Sequence, residues 1–177
     1  MIFIYSDLIK EKLKKSQKSY DELFNCGLEK IIPLIKLFAD NINENFIDRI
    51  FNISNNIEIL IYTNCNEFKV KNIIGIGIYV KTYNKKIKED NIYLLLLCIN
   101  NKYRQYGYGK IFMVEIIELI SNFNKNKKKI ILHPLESTYG FYQSLGFIQT
   151  KDKIYKFKKL FDYELYNKNK IIFELSI

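Results

Sequence analysis

The 177-residue chain is long enough for one domain with one sizeable core, and a chain of this size buries roughly 70 % of its unfolded surface, so it needs no staples. Its cysteines, Cys26, Cys65 and Cys98, are scattered and its one histidine is His133, which disfavours both a disulfide frame and a metal centre. Lys and Arg outnumber Asp and Glu by 28 to 19, a net charge of +9, which fits a polyanionic partner, either nucleic acid or the phosphates of a cofactor, but fits as well the compositional drift of a chain rich in Asn, Lys and Ile and poor in Arg, Ala and Gly.

Met1 to Tyr5 is a short apolar segment and reads as a first strand. Asp7 is placed to cap a helix, and Leu8, Ile9, Leu13, Tyr20, Leu23 and Phe24 form a loose helical stripe through a lysine-rich stretch. Cys26-Gly27 is expected to break that helix. Leu28 to Ala39 is strongly apolar, with Pro33 expected in its first turn, where a missing N–H costs nothing. Asn43 to Ile53 sets Phe46, Ile47, Ile50 and Phe51 at helical spacing. Residues 1–56 thus read as a strand followed by two or three helices, the helical N-terminal part of a domain spanning 1–177.

Ile57 to Thr63 is the next strand, and Asn64 to Lys69 a turn. Asn72 to Val80 (NIIGIGIYV) is a β-branched strand. No helical pattern follows Gly75 and Gly77, so they mark a bulge or close packing rather than a phosphate loop. Tyr83 to Asp90 reads as a charged hairpin loop. Ile92 to Ile99 is an unbroken apolar run, which fits a strand covered on both faces. These runs in succession suggest an antiparallel meander.

Asn100, Asn101 and Lys102 stop the strand, and Arg104-Gln105-Tyr106-Gly107-Tyr108-Gly109-Lys110 leads into a helical pattern over Ile111 to Ile120. Strand, glycine turn and helix together can hold a phosphate: the first N–H groups of a helix lack intrahelical partners, and the dipole adds positive charge there. Asn122 to Lys129 is a solvated, lysine-rich connection, with Lys125, Lys127 and Lys128 in it. Lys129 to His133 is a strand ended by Pro134, which completes a right-handed βαβ unit with parallel neighbours. Glu136 to Gly146 reads as a helix capped by Ser137 or Thr138 and stopped by Gly146. Lys153 to Lys158 and Lys170 to Ser176 read as last strands, with Phe161, Tyr163 and Leu165 between them.

The R-x-x-G-x-G pattern of Arg104, Gly107 and Gly109 resembles the acetyl-CoA pyrophosphate loop of the GNAT superfamily of N-acetyltransferases, Gln/Arg-x-x-Gly-x-Gly/Ala. Downstream, Phe141, Tyr142, Gly146 and Phe147 match that superfamily's F-Y-x-x-x-G-F segment. Both lie within about Ile57 to Phe157; the chain before them matches only in its order of a strand and then helices. The resemblance implies an α/β fold, a central mixed, mostly antiparallel sheet with helices on both faces. It implies acetyl-CoA as co-substrate, no metal, and direct transfer to an amine (a protein N-terminus, a lysine or a small molecule) in a ternary complex.

By the same resemblance Arg104, Gln105, Tyr106, Gly107, Tyr108, Gly109 and Lys110 would hold the cofactor. Its thioester carbonyl would meet a backbone N–H where the preceding strand bulges and splays from its parallel neighbour, at about Cys98 or Ile99. Tyr142 would protonate the leaving thiolate, since an ordinary tyrosine is protonated at neutral pH. The general base is not legible: Glu58, Glu67, Asp90 and His133 lie in the region and none is compelling. Two other readings stay open. One is a GNAT fold that binds CoA without catalysis; the other is a basic nucleic-acid-binding domain. The second is disfavoured because arginine, the usual base reader, is nearly absent. No apolar run reaches membrane length and the N-terminal stretch lacks signal-peptide features. The expectation is therefore an intracellular protein, cytoplasmic with the nucleus left open, and no membrane partner.

Overall fold

The strands are β1 (Ile2–Ile4), β2 (Ile57–Thr63), β3 (Ile73–Asn84), β4 (Glu89–Ile99), β5 (Lys129–Leu132), β6 (Ile148–Thr150) and β7 (Ile172–Ser176). The helices are α1 (Tyr5–Leu13), α2 (Tyr20–Phe38), α3 (Glu44–Ile53), α4 (Tyr108–Asn122) and α5 (Tyr139–Gln143). They come from a computed structural model that describes residues 1–53, 57–66, 68–84, 89–122, 129–150 and 171–177. The strands form one seven-stranded sheet in the order β1-β2-β3-β4-β5-β7-β6. Every pairing is antiparallel except β4 with β5, the pair that α4 connects.

Alternation along the strands divides the core in two. Ile59, Ile61, Ile76 and Ile78 point to one face, where Ile9, Ile31, Ile35, Ile47 and Ile50 of α1, α2 and α3 cover them. Leu60, Tyr62, Ile74 and Ile130 point to the other, beneath Phe112, Met113, Ile116 and Ile120 of α4 and beside Tyr142 and Phe147. A central strand with helices on both sides has no solvent face, so its sequence need not alternate. The expected mixed sheet with helices on both faces is therefore the observed one. No helix of the described residues is long and apolar enough to cross a membrane.

The first third differs from expectation in detail. Ile4, not Asp7, is the N-cap of α1; Asp7 lies within the first turn and pairs with Lys10 at 2.9 Å. Ser19 caps α2 through a reciprocal capping box with Glu22. That helix then runs unbroken through Gly27 and through Pro33, which sits in its interior rather than its first turn. Proline there leaves the Glu29 carbonyl without its helical donor, but Glu29 is exposed and water can serve it. Gly27 does not stop the helix because it serves packing: a Cβ there would lie 1.8 Å from the Tyr5 hydroxyl oxygen, which donates to the Phe24 carbonyl at 2.9 Å.

Gly75 plays the same part in β3, where a Cβ would meet Ile99 Cδ1 at 2.7 Å and the Cys98 carbonyl at 3.0 Å. The close-packing reading of that glycine therefore holds. β3 and β4 extend into the expected hairpin loop, pairing Tyr83 with Asp90 and Asn84 with Glu89. β7 begins at Ile172 rather than Lys170, and β6 forms beside it. The expected strand at 153–158 lies outside the described residues, as do Phe161, Tyr163, Leu165, Glu67, Lys125, Lys127 and Lys128.

Alanine favours a helix over glycine by about 1 kcal/mol, yet Gly27→Ala should destabilise the protein. The methyl would displace the Tyr5 ring and break its hydrogen bond to Phe24, a loss of about 1–3 kcal/mol. A lowered melting temperature for Gly27→Ala, restored toward wild type in Tyr5→Phe/Gly27→Ala relative to Tyr5→Phe, checks this.

Candidate active site

β4 changes partners along its length. Its parallel pairing with β5 runs from Asn91 to Leu94 and ends there, opposite Leu132. Its pairing with β3 continues to Ile99, with one irregularity: Tyr79 faces Leu94 and Ile78 faces Leu96, so Leu95 is an extra residue. This bulge shifts the phase of the side chains. Ile92 and Leu94 face α4, Leu95 and Leu96 both face the α2 side, and Leu97 and Ile99 face α4 again. The bulge therefore lies at Leu95, upstream of the expected Cys98 or Ile99. The uniformly apolar run hid it, because no alternation was there to show a break.

Past Leu94 the β5-side edge of β4 has no partner strand among the described residues. The Asn100 N–H donates to the Ile74 carbonyl at 2.8 Å, so Asn100 and, two residues back, Cys98 direct their backbone groups at β3. Ile99 and Leu97 direct theirs at the open edge. Cys98 is turned away in its side chain too. Its thiol sits in the core on the α2 side, donates to the Ile76 carbonyl at 3.5 Å, and burial pushes its pKa up to about 12. A thiol held so is no nucleophile at neutral pH. Of the two expected positions, Ile99 presents its N–H to the opening.

The loop after β4 begins with a short turn over Asn101–Tyr103, capped by the Asn100 side chain. Gln105 (φ +67°) and Gly107 (φ +80°) then lie in the left-handed region. For Gly107 that is free; for Gln105 it costs about 1–2 kcal/mol. Among the described residues, the N–H groups of Gln105, Tyr106, Gly107, Tyr108 and Gly109 find no protein acceptor; hydrogen bonding resumes at Lys110 and Ile111, both to the Gly107 carbonyl. This row of donors at the N-terminus of a long helix forms an anion nest. A Cβ on Gly107 would meet no atom within 4 Å. One on Gly109 would lie 3.7 Å from Ile99 and 3.8 Å from Phe141, so the end of β4, the start of α4 and α5 meet at that glycine. A diphosphate's oxygens suit this donor set. Tyr106 and Lys110 are exposed, and Tyr108 packs edge-on to Tyr103 at 5.6 Å.

Arg104 does not point into the nest. Its Nε donates to the Ile99 carbonyl at 3.0 Å, and its terminal nitrogens donate to Asp40 Oδ2 at 3.2 Å and Oδ1 at 2.9 Å. It also donates to the Phe38 carbonyl, in the last turn of α2. Asn101 adds a bond to Asp40 at 3.3 Å. The Arg104 guanidinium accordingly holds the Asp40 carboxyl below its ordinary value.

Tyr142 is buried, edge-on to Phe141 at 4.9 Å and to Phe147 at 5.6 Å. Its hydroxyl has no hydrogen-bond partner among the described residues, and burial raises its pKa, so it is protonated at neutral pH. The turn after it explains the spacing of its motif. Gly146 takes φ +86°, and a paired closure forms, Phe147 N–H to the Tyr142 carbonyl at 3.1 Å and Gly146 N–H to the Gln143 carbonyl at 3.0 Å. The helix is shorter than the expected Glu136 to Gly146, with a 3-10 turn at Glu136–Thr138 and α5 ending at Gln143, and Gly146 closes the turn that follows it. Thr138 occupies the N-cap of α5 but caps nothing; its hydroxyl donates to the Leu135 carbonyl at 2.7 Å.

The candidate bases do not converge on the opening. Asp90 lies at the far end of β4, about 30 Å from Ile99 at strand rise. Glu58 pairs with Tyr79, near the bulge rather than the open edge. His133 directly follows Leu132, where β5 parts from β4, and is half-buried. What sequence reasoning missed is Asp40: it lies 64 residues before Arg104, and no local pattern joins them.

A family model described as an acetyltransferase (GNAT) domain matches residues 62–161, more than half of the chain. A comparison with curated proteins returns no match. Among solved structures, Tetrahymena GCN5 superposes with a TM-score of 0.59 at 13% identity, over 85% of this chain and 86% of that one. A Bacillus subtilis acetyltransferase in complex with CoA gives 0.55 at 15% identity, over 99% and 97%. Arabidopsis thaliana NAA60 in complex with acetyl-CoA gives 0.53 at 16% identity, over 85% and 91%. At these identities the likeness is one of fold.

Asp40 supplies a pH prediction. Its folded pKa is depressed, so the ion pair's contribution is fully present above the ordinary carboxylate value and is lost as pH falls through the depressed one. A carbon-13 titration should place its midpoint below 3.8 in the wild type and move it up in Arg104→Gln. An unchanged midpoint in the variant would show that the pair is not formed in solution.

Proposed function

The chain belongs to the acetyltransferase (GNAT) domain family, and on that premise we propose that it is an acetyl-CoA-dependent N-acetyltransferase acting by direct transfer to an amine. The observation that carries this reading is the unbroken row of unpaired N–H groups from Gln105 to Gly109, set beside an open strand edge. Such donors are costly to leave without acceptors unless water or an anion serves them. A diphosphate supplies acceptors spaced for successive amides.

The residues divide the work. Gln105, Tyr106, Gly107, Tyr108 and Gly109 bind the diphosphate through their amides, and Lys110 adds a charge. Acetyl-CoA supplies an activated thioester. The Ile99 N–H, facing the opening, donates to its carbonyl oxygen and orients it. Cys98 serves the site as strand, not as a nucleophile. The Tyr142 hydroxyl, protonated and without another partner, donates to the departing sulfur. The amine acceptor enters as the free base and is a protein N-terminus, a lysine or a small molecule. The whole chain, 1–177, acts as one domain in this reading, in the cytoplasm.

The test begins with ligand-induced stabilisation. Acetyl-CoA at about 100 times its dissociation constant should add roughly 2.7 kcal/mol to stability, and Gly107→Val, folded by circular dichroism, should lose the shift. Thiol release is then followed with peptides and small amines as acceptors. Tyr142→Phe should lower kcat on the order of 100-fold with the KM for acetyl-CoA little changed. A wild type that melts unchanged with acetyl-CoA would sink the reading. One that shifts but releases no thiol with any amine class would be a CoA-binding module instead.

A further inference from the structure

We propose that Asp40 is a positioning residue for the cofactor loop: it pegs Arg104, and through Arg104 it holds the row of loop amides in its binding form. The inference rests on the acetyl-CoA reading above and extends it to a residue on the opposite face of the sheet.

The first position of the motif has a cation, which invites the view that it neutralises phosphate. The geometry points elsewhere. Every nitrogen of the Arg104 guanidinium is already engaged, with Ile99, with both oxygens of Asp40 and with the Phe38 carbonyl. Arg104 is half-buried, and its charge is balanced by a carboxylate in a two-bond fork. The Phe38 carbonyl belongs to the last turn of α2, where helix carbonyls lack donors and a cation is favoured. Arg104 therefore acts as a pin through the end of β4, the end of α2 and the turn after it.

What the pin fixes is the next residue. Gln105 must stay in the left-handed region for its N–H to join those of Tyr106 to Gly109. A non-glycine residue keeps that conformation only if its neighbours over-determine it. On one side the α4 helix does so. On the other only Arg104 does, because the segment from Asn101 to Arg104 is otherwise held by a single short turn, with Asn101 itself bonded to Asp40. Without Asp40 the guanidinium loses its fork and Gln105 can relax to negative φ. The row of donors then loses its alignment before any ligand arrives.

Isothermal titration with CoA tests this in the wild type, Asp40→Asn, Asp40→Ala and Arg104→Gln, with Asp48→Asn as control. Asp48 makes an equally exposed ion pair with Lys36, 2.8 Å long, away from the loop. Asp40→Ala should weaken CoA binding about tenfold, as expected for one lost charge-assisted hydrogen bond. Asp40→Asn, which keeps one neutral acceptor, should fall between. In the Arg104→Gln background Asp40→Ala should have no further effect. At saturating acetyl-CoA the kcat of the Asp40 variants should match wild type, so the defect appears in KM alone. Asp48→Asn should bind CoA normally. If Asp40→Ala and Asp40→Asn lower the melting temperature but leave CoA affinity unchanged, the residue is merely structural and the inference is overturned. If the wild type itself fails to bind CoA, the acetyl-CoA reading falls and takes this one with it.

Discussion

The site depends on a strand that loses one neighbour halfway. Up to Leu94, β4 is hydrogen-bonded on both edges; beyond it, one edge has no partner strand among the described residues. A sheet interior does not leave backbone groups idle without consequence. Arg104 serves one of them, the Ile99 carbonyl, and the Ile99 N–H beside it faces the same edge. The bulge at Leu95 is what aims this half of the strand. It shifts the alternation by one residue, so Ile99 packs toward Gly109 and Phe141 on the α4 side while Cys98 turns into the α2 core. Remove the bulge and the two exchange faces.

That end of β4 is also where the two helical layers meet. α1, α2 and α3 cover one face and α4 and α5 the other. The cofactor loop starts α4, yet its first motif residue is anchored to the end of α2. Helix ends suit this purpose. α2 offers an unsatisfied carbonyl and a negative dipole end to a guanidinium, and α4 offers unsatisfied amides and a positive dipole end, the arrangement that suits an anion. One arginine at the strand terminus thus ties a helix C-terminus to a helix N-terminus across the sheet.

Much of this was legible because the deciding pattern was local. Gly146 and Phe147 are four and five residues from Tyr142, and the closure they form is a property of that spacing. Gly107 and Gly109 announced a loop that needs left-handed backbone and close approach. Ile92 to Ile99, having no polar alternation, read as a strand covered on both faces, and the mixed sheet followed from the family resemblance. The misses share a cause as well. Gly27 read as a helix stop and Pro33 as a first-turn residue of the next helix, but α2 gains enough from burying Ile31, Ile35 and Phe38 to run through both. The bulge left no trace in a run where every residue is apolar. Asp40 could not be paired with Arg104 because their contact is tertiary. The basic balance, the broadest feature of the composition, says little about the site: the row of donors from Gln105 to Gly109 is built of amides, which carry no formal charge.

Tyr142 brings the last constraint. Burial raises its pKa well above that of an ordinary thiol, near 8.5. A tyrosine so placed is the weaker acid of the pair, and complete proton transfer from it to a thiolate runs uphill. Its hydroxyl is better suited to donating a hydrogen bond as charge grows on sulfur than to surrendering its proton first. In the proposed transfer the proton that finally rests on sulfur then has its source in the amine, which must lose one in forming the amide. This relaxes the demand on the general base that no carboxylate at the open edge meets. In the proposed transfer a base need only pass that proton from nitrogen to sulfur, a step that a water can relay.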